Sequence, residues 1–279
     1  MTSGGWRVMV LGLALTGAGS TVFAANSRAA GRQAPEWELG AGAAYIDFPE
    51  YRGAETRFRR VLPFPYVVYR GKRLKVDREG ARGLLFQSRH TALDISLDGS
   101  VPVRSDDGGP RRGMPDLDPV LEVGPSFRIR LRRQPDLEVR LVARAVLATD
   151  FERVHQEGWL FNPQLYFRRR GYLDFGASAG PLYATRAYHR YYYAVPARFE
   201  TPTRPAYEPP AGYSGMRVTM SLSRRFNGMY IGSFLRYDDL RGAAFVDSPL
   251  VETKQALMAG ISVAWVFRES RRRVTVVRR

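Results

Sequence analysis

Hydrolysis is the first chemistry to test against this sequence, because it needs only a few residue types. A nucleophilic serine must lie beside a histidine that a third polar group holds in place. The histidines of the chain are His90, His155 and His189. His90 falls in a predicted tight turn and the other two in predicted loops, and the sequence places no serine beside them. Walker-type and dinucleotide-binding glycine motifs are also absent, so we predict that the protein is not an enzyme.

Metal binding is the second chemistry to test. Four carboxylates lie in the segment 102–118, namely Asp106, Asp107, Asp116 and Asp118. A calcium site needs several oxygens that converge on one point, and this spacing does not match an EF-hand. The sequence has no cysteine and therefore no thiolate ligand and no disulfide. We predict neither a bound metal nor a cofactor.

Positive charge is concentrated in short clusters at predicted turns and at the carboxyl end. The formal net charge of the 279-residue chain is +16. A dense positive rim could dock an acidic partner protein or peptidoglycan carboxylates. The alternative is anchoring, in which arginine and lysine reach out to lipid phosphates. The cluster residues are Arg70, Lys72, Arg73, Arg132, Arg133, Arg169, Arg170, Arg224, Arg225, Arg271, Arg272 and Arg273.

A second set of charges alternates with apolar residues along neighbouring predicted strands. Opposite charges on adjacent strands can line an ion path, or they can fill a barrel with ion pairs and leave no route through it. About twelve strands enclose a modest lumen, so we favour a narrow or closed one. These lumen charges are Asp94, Asp98, Glu122, Arg128, Glu138, Arg140 and Arg144.

The elements that position these charges are strands with a period of two. In residues 254–267, Leu257, Ile261, Val263, Trp265 and Phe267 fall on one face, and small or polar residues fall on the other. One apolar face that ends in aromatics, with a polar opposite face, is typical of a strand between lipid and a polar lumen. A soluble sandwich or lipocalin-like barrel shows the same alternation. The charged inner faces and the terminal aromatics favour the membrane barrel.

The amino terminus predicts export. Arg7 gives a short positive region, residues 8–18 form an apolar stretch, and residues 22–24 (VFA) resemble a signal-peptidase site. The apolar stretch is shorter than the roughly 20 residues that a spanning helix needs. We therefore predict a signal peptide over residues 1–24 and a short periplasmic segment over 25–36.

The strand count predicts a single antiparallel, up-and-down transmembrane β-barrel of about twelve strands over residues 37–267. Tight turns alternate with longer connections, as expected when turns face the periplasm and loops face outside. An even number of strands places both termini in the periplasm, followed by an arginine-rich tail over 268–279. The predicted strands are 37–45, 61–70, 73–79, 81–88, 91–101, 119–132, 137–150, 158–169, 172–187, 214–226, 229–239 and 254–267.

Four stretches resemble the MltA-interacting protein family (MipA/OmpV) of Gram-negative outer membranes. They are 37–42 (WELGAG) with 49–53 (PEYRG), then 60–66 (RVLPFPY), then 114–119 (MPDLDP) with 121–124 (LEVG), and finally 247–251 (DSPLV). Each motif alone is weak, but their order and spacing give a strong signal. Family members usually end at the aromatic that corresponds to Phe267, whereas this chain continues to residue 279.

The resemblance implies an outer-membrane barrel that is not an enzyme. Some members are similar to scaffolds that hold a lytic murein transglycosylase near a murein synthase, and others are discussed as porin-like or adhesive. We therefore expect a scaffold whose partners are outer-membrane lipid, lipopolysaccharide and a murein-processing complex, with no role for nucleic acid. A small-solute channel, or an adhesin acting through the tyrosine-rich loop 188–213, remains an alternative.

Overall fold

The computed structural model describes residues 32–71, 74–77, 80–100, 102–103, 105, 109–150 and 152–276. The signal peptide predicted over 1–24, together with Lys72, Arg73, Asp106 and Asp107, lies outside the described residues, as do residues 25–31 and 277–279. The strands are β1 Arg32–Pro35, β2 Trp37–Pro49, β3 Arg57–Arg70, β4 Leu74–Asp77, β5 Gly80–Gln87, β6 Thr91–Ser100, β7 Val120–Arg133, β8 Asp136–Thr149, β9 Val154–Arg169, β10 Asp174–Ala184, β11 Gly212–Phe226, β12 Met229–Asp239, β13 Gln255–Glu269 and β14 Arg273–Val276.

The strands β2 to β13 form one antiparallel sheet in which each strand pairs with its neighbour along the chain. The sheet closes as a barrel because β13 pairs with β2, with Ile261 opposite Tyr45. The prediction of an all-β, antiparallel fold is confirmed. Closure pairs the first barrel strand with the last, so neither end of the sheet is a free edge strand, as a hydrocarbon surrounding demands of a β-structure.

The two ends of the barrel differ in their connections. Tight turns lie at the end where the barrel strands begin and finish, and we call this the turn end. An example is Asn227-Gly228, where both residues have positive φ (45° and 74°) and join β11 to β12 as in a type I′ hairpin. The long connections, 101–119, 185–211 and 240–254, lie at the opposite end, which we call the loop end.

The outer face of the barrel is apolar and exposed. Val61 is 67% exposed, and Ile261 and Leu165 are each at least half exposed. A continuous exposed apolar surface of this kind would aggregate in water, whereas lipid covers it without cost. Exposed aromatics flank it at both levels, with Tyr45, Trp159 and Tyr183 near the loop end and Tyr172, Phe226, Trp265 and Phe267 near the turn end. No helix among the described residues has the length and hydropathy to cross a membrane.

The structure differs from the predicted elements near the loops, where β2, β3 and β9 each extend four residues beyond the predicted strands. The strand predicted over 172–187 ends at Ala184, and a helix, α1 (Arg186–Tyr193), follows it where only a loop is predicted. An eight-residue helix is shorter than the window in which a helical period can be recognised, so the alternation analysis misses it.

The carboxyl end of the barrel extends further than predicted, whereas β2 begins at Trp37 as predicted. β13 continues to Glu269, beyond Phe267, because a register shift between Val266 and Arg268 lets the tail keep pairing with β2. Beyond it, β14 pairs with β1 in a two-stranded ribbon at the turn end. Part of the predicted tail is therefore a strand.

Candidate functional site

The structure sorts the predicted rim cations into three environments, and the first is the barrel interior. Arg70 and Arg225 both turn inward to Glu38, with N–O distances of 2.7 and 2.5 Å. Glu38 is fully buried on the inner face of β2. Two guanidinium groups thus share one carboxylate, and these two arginines stabilise the turn end of the barrel. Sequence analysis missed Glu38, although it occupies an inner-face position of the first barrel strand.

The second environment is the aromatic belt on the outer face. The Arg224 guanidinium carbon lies 3.6 Å from the centroid of the Tyr172 ring and 5.5 Å from that of Phe226. A cation over aromatic faces at the edge of the apolar surface fits anchoring at the lipid headgroups. For Arg224 the geometry favours the anchoring interpretation over partner docking.

The third environment is the exposed part of the turn end. Its cations among the described residues include the predicted Arg132, Arg133, Arg169, Arg271, Arg272 and Arg273. Arg272 lies 3.6 Å from Glu36 and Arg273 lies 2.9 Å from Glu269, but both arginine side chains stay at least 47% exposed. Arg170 is half-buried, 3.9 Å from the buried Asp136. Exposed positive charge therefore dominates this end in the part of the chain that the structure describes.

The predicted lumen charges lie on the inner faces of β6, β7 and β8, where they form ion pairs. Arg128 pairs with Asp94, and Glu138 accepts hydrogen bonds from Arg140 at 2.8 Å and from Arg130 at 3.5 Å. Arg144 bridges Asp98 at 2.9 Å and Glu122 at 3.2 Å. Each of the carboxylates Asp94 and Glu138 is at most 2% exposed. The pairs tie neighbouring strands together across this half of the interior.

A further ion pair, which was not predicted from the sequence, joins the neighbouring strands β11 and β12 on another part of the inner wall. Arg217 on β11 binds Asp238 on β12 through two hydrogen bonds of 2.7 and 3.1 Å. Arg52, from the loop after β2, lies 3.5 Å from the same carboxylate. The alternation of β11 and β12 places Arg217 and Asp238 on the inner face. Whether they lie opposite each other depends on the register of the two strands, which could not be known before the strands were paired.

The loop end is closed by a cap built from α1 and the loop that follows β12. Tyr193 stacks on Phe245 with ring centroids 3.6 Å apart, and its hydroxyl donates a hydrogen bond to the carbonyl oxygen of Arg52 at 2.9 Å. Ser248 Oγ donates to the carbonyl oxygen of Tyr193 at 2.7 Å. Burial raises the pKa of the Tyr193 hydroxyl well above its usual value. The cap is thus a small hydrophobic core in which the Tyr193 and Ser248 hydroxyls are bonded to backbone carbonyls.

His189 lies at the centre of this cap and is fully buried. Its Nδ1 lies 2.6 Å from the carbonyl oxygen of Pro210, and its ring centroid lies 4.9 Å from that of Phe245. Burial lowers the pKa of His189, so the ring is held neutral. With its ring packed on Phe245 and bonded to a backbone carbonyl, His189 is a structural residue of the cap.

Metal binding finds no support among the described residues, which contain no group of three or more potential ligands. Of the acidic loop residues, Asp116 accepts a hydrogen bond from the Ser105 amide at 2.7 Å. That contact orders the loop backbone.

Comparison with solved structures finds outer-membrane proteins at low similarity. The chain resembles the NanC porin (8% identity, TM-score 0.37, covering 82% of this chain and 98% of that one). It also resembles an outer-membrane channel from Pseudomonas putida F1 (9%, 0.35, 88% and 100%) and OprG from Pseudomonas aeruginosa (9%, 0.23, 85% and 95%). These identities and scores are too low to carry an argument about function. The curated proteins contain no match.

The family match is of a different kind, because it covers most of the chain. The model of the family described as MltA-interacting protein MipA matches residues 39–267. This span runs from the first barrel strand to the exposed aromatic near the end of β13. The chain belongs to the MltA-interacting protein MipA family.

Proposed function

We propose that this outer-membrane β-barrel is a scaffold that holds a murein-processing enzyme at its turn end. In the proposed orientation the tight turns and both termini lie in the periplasm, where peptidoglycan is, and the capped loop end faces outside. Export through a cleaved signal peptide over residues 1–24 is part of the proposal. The family description, which names a murein transglycosylase as the interacting protein, supports the choice of partner.

The observation that carries the proposal is the exposed cationic surface of the turn end. We define the cationic rim as Arg132, Arg133, Arg169, Arg271, Arg272 and Arg273. The carboxylates nearby are mostly turned inward, since Glu38, Asp136 and Glu138 are each at most 8% exposed. The positive charge that remains after Glu36 and Glu269 pair with Arg272 and Arg273 is available to steer and bind an acidic partner surface.

The test is recovery of a murein transglycosylase on the purified barrel in lipid nanodiscs. Changing all six cationic-rim arginines to glutamine should lower recovery about tenfold and should remove most of its salt dependence. A matched control changes six exposed arginines of the loop end to glutamine, namely Arg112, Arg153, Arg186, Arg190, Arg198 and Arg241. The control should leave recovery unchanged. Equal recovery by both variants would overturn docking through the rim.

The channel alternative has less support from the geometry. Ion pairs line the inner wall on β6 to β8 and between β11 and β12, and the cap covers the loop end. We expect little or no conductance in planar bilayers. A steady conductance that survives neutralisation of the rim would instead favour the channel.

The adhesin alternative depends on aromatic residues of the loop 188–213. Tyr188 and Tyr193 are buried in the cap, and Tyr191 donates a hydrogen bond to the carbonyl oxygen of Asp118 at 3.1 Å. These tyrosines contribute mainly to closing the barrel, and the exposed charged residues of that loop are Arg190, Arg198, Glu200 and Glu208.

A further inference from the structure

Between β3 and β6 the barrel wall extends less far from the turn end towards the loop end than it does elsewhere. The hairpin of β4 and β5 pairs with β3 at Tyr69 and Arg70, and with β6 up to Ile95. Among the described residues, 57–68 of β3 and 96–100 of β6 have no strand partner on the side that faces this hairpin. Because β4 ends at Asp77 and β5 begins at Gly80, the hairpin does not extend further towards the loop end. In the part of the chain that the structure describes, the result is an opening in the wall that faces the lipid.

The exposure of nearby residues agrees with such an opening. Arg60 on β3 pairs with Ile46 on β2, and the alternation of both strands places these positions on the inner face. Arg60 is nevertheless exposed, whereas Ile46 is only 3% exposed. Gly99 and Ser100, at the other edge of the gap, are exposed as well. Residues at both edges of the gap are therefore exposed, although they belong to barrel strands.

The inner surface beside the gap is apolar, unlike the rest of the lumen. Ala44, Ile46 and Phe48 of β2 pack with apolar side chains of three other strands. Those partners are Phe58, Leu62, Phe64, Phe234 and Met258. Apolar side chains inside a barrel of this kind are unexpected, since the lumen side of such strands is normally polar. We call this surface the apolar wall.

A cavity of about 160 Å³ connects the apolar wall with the charged part of the lumen. Its apolar side is formed by Ile46, Phe48, Phe234 and Met258, and its roof by tyrosines of α1. Its polar side is formed by Asp98, Glu122, Arg217 and Asp238, and Gly99 and Ser100 from the edge of the gap also line it. The cavity thus lies directly inside the opening, and it has one apolar side and one charged side.

We propose that this cavity binds one single-chain amphiphile, taken sideways from the outer leaflet through the gap between β3 and β6. An apolar cavity of about 150 Å³ holds a benzene-sized group, so this space fits one chain segment and not two. The charges that line or border it balance in number, with the carboxylates Glu50, Asp98, Glu122 and Asp238 facing the cations Arg52, Arg144, Arg217 and Arg236. A zwitterionic or uncharged headgroup therefore fits better than an anionic one. This site is separate from the cationic rim and does not depend on partner docking.

The test uses photo-crosslinking of the full chain in lipid vesicles. The probe is a lysophosphatidylcholine that carries a diazirine on its chain, and labelled residues are mapped by mass spectrometry. We expect label on the apolar wall, at Ile46, Phe48, Leu62 and Met258, in addition to the outer face. Unlabelled lysophosphatidylcholine should compete for the apolar-wall label but not for the outer-face label. Label confined to outward-facing residues would overturn the proposal.

A cavity-filling variant sharpens the result. Met258→Trp places a ring in the cavity and should reduce apolar-wall label about tenfold. The control, Ile261→Trp, adds the same ring on the outer face of the same strand, where Ile261 is 52% exposed, and should leave that label unchanged. If Met258→Trp does not fold, as judged by heat-dependent gel mobility, the competition experiment on the unaltered chain decides.

Two further probes test the ligand class. A diazirine phosphatidylcholine with two chains, or a single-chain lysophosphatidylglycerol with an anionic head, should label the apolar wall at least about tenfold less. Equal labelling by either probe would overturn the proposed single chain or the proposed headgroup.

Discussion

The interior of the barrel is filled differently on its two sides. On β6 to β8 the inner face carries arginines and carboxylates that pair within and across strands, as Glu138 does with Arg140 of its own strand and with Arg130 of β7. On β2, β3, β12 and β13 it carries the apolar wall around Ile46 and Phe48. Ion pairs need every partner in place, because a buried charge left alone is costly. Apolar contacts are lost gradually and can be exchanged for a ligand, so the two sides should respond differently to the same kind of change.

The largest expected effect is the loss of Glu138 on the ionic side. Glu138→Ala leaves the buried Arg130 and Arg140 without their carboxylate and should lower the free energy of unfolding by about 3–5 kcal/mol. The measurement is guanidinium unfolding of the protein in lipid vesicles.

A triple variant tests the cause of that loss. Glu138→Leu with Arg130→Met and Arg140→Met removes all the charges together and should recover most of the stability. If the triple variant is as unstable as Glu138→Ala, uncompensated charge is not the cause.

The second effect is truncation on the apolar side, where the cost should be graded. Ile46→Ala should lower the free energy of unfolding by about 2–4 kcal/mol and Ile46→Val by about 1 kcal/mol, in line with the methyl groups removed. The same unfolding measurement applies. Equal losses for the two substitutions would contradict graded packing on this side.

A smaller and local effect concerns pH and the cap. Because burial lowers the pKa of His189, the unfolded cap binds the proton more readily than the folded one. The stabilisation is complete above the ordinary histidine pKa near 6.5 and is lost as the pH falls from there towards the lowered value. Each unit by which the pKa of His189 is lowered corresponds to about a tenfold change, between high and low pH, in the equilibrium constant for opening the cap.

The cap can be followed with a nitroxide on Arg190→Cys, since the chain has no other cysteine and Arg190 is exposed on α1. Acidification below pH 6.5 should raise the mobility of the label. Adding His189→Asn should abolish that response. A response that persists in the double variant would place the titrating group elsewhere.

The smallest effect is expected at an exposed ion pair on the outer surface. Asp47 lies 2.6 Å from Arg57 and 3.2 Å from Arg59, with the Arg59 side chain 65% exposed. Asp47→Ala should lower the free energy of unfolding by less than about 1 kcal/mol. A loss as large as that of Glu138→Ala would show that exposure does not separate the two kinds of ion pair.

Local alternation predicts the strands well because each strand carries its own signal. The predicted strand 229–239 matches β12 Met229–Asp239, and Asn227-Gly228 forms the predicted turn. Pairs between distant residues leave no such signal. Neither the ribbon that joins Pro35 to Arg273 nor the partnership of Glu38 with Arg225 can be read from short windows.

The candidate site was only partly predictable for the same reason. Charge clusters identify the turn end, but they do not tell which arginines fold inward. Arg225 turns towards the lumen while its neighbour Arg224 lies on the outer belt, because successive side chains of a strand point to opposite faces. The opening beside β4 depends on how few residues join β3 to β6, a property of length and pairing that residue types do not show.

The ribbon of β1 and β14 has a mechanical consequence for any load applied to it. Its register, with Arg32 opposite Val276 and Pro35 opposite Arg273, places Arg32 and Val276 together at the tip that points away from the barrel. A pull on both strands together along the ribbon runs through the backbone to the seam between β13 and β2. A pull that separates Arg32 from Val276 instead opens the ribbon from its tip, one residue pair after another. Such a load breaks the four residue pairs of the ribbon before it can part β13 from β2.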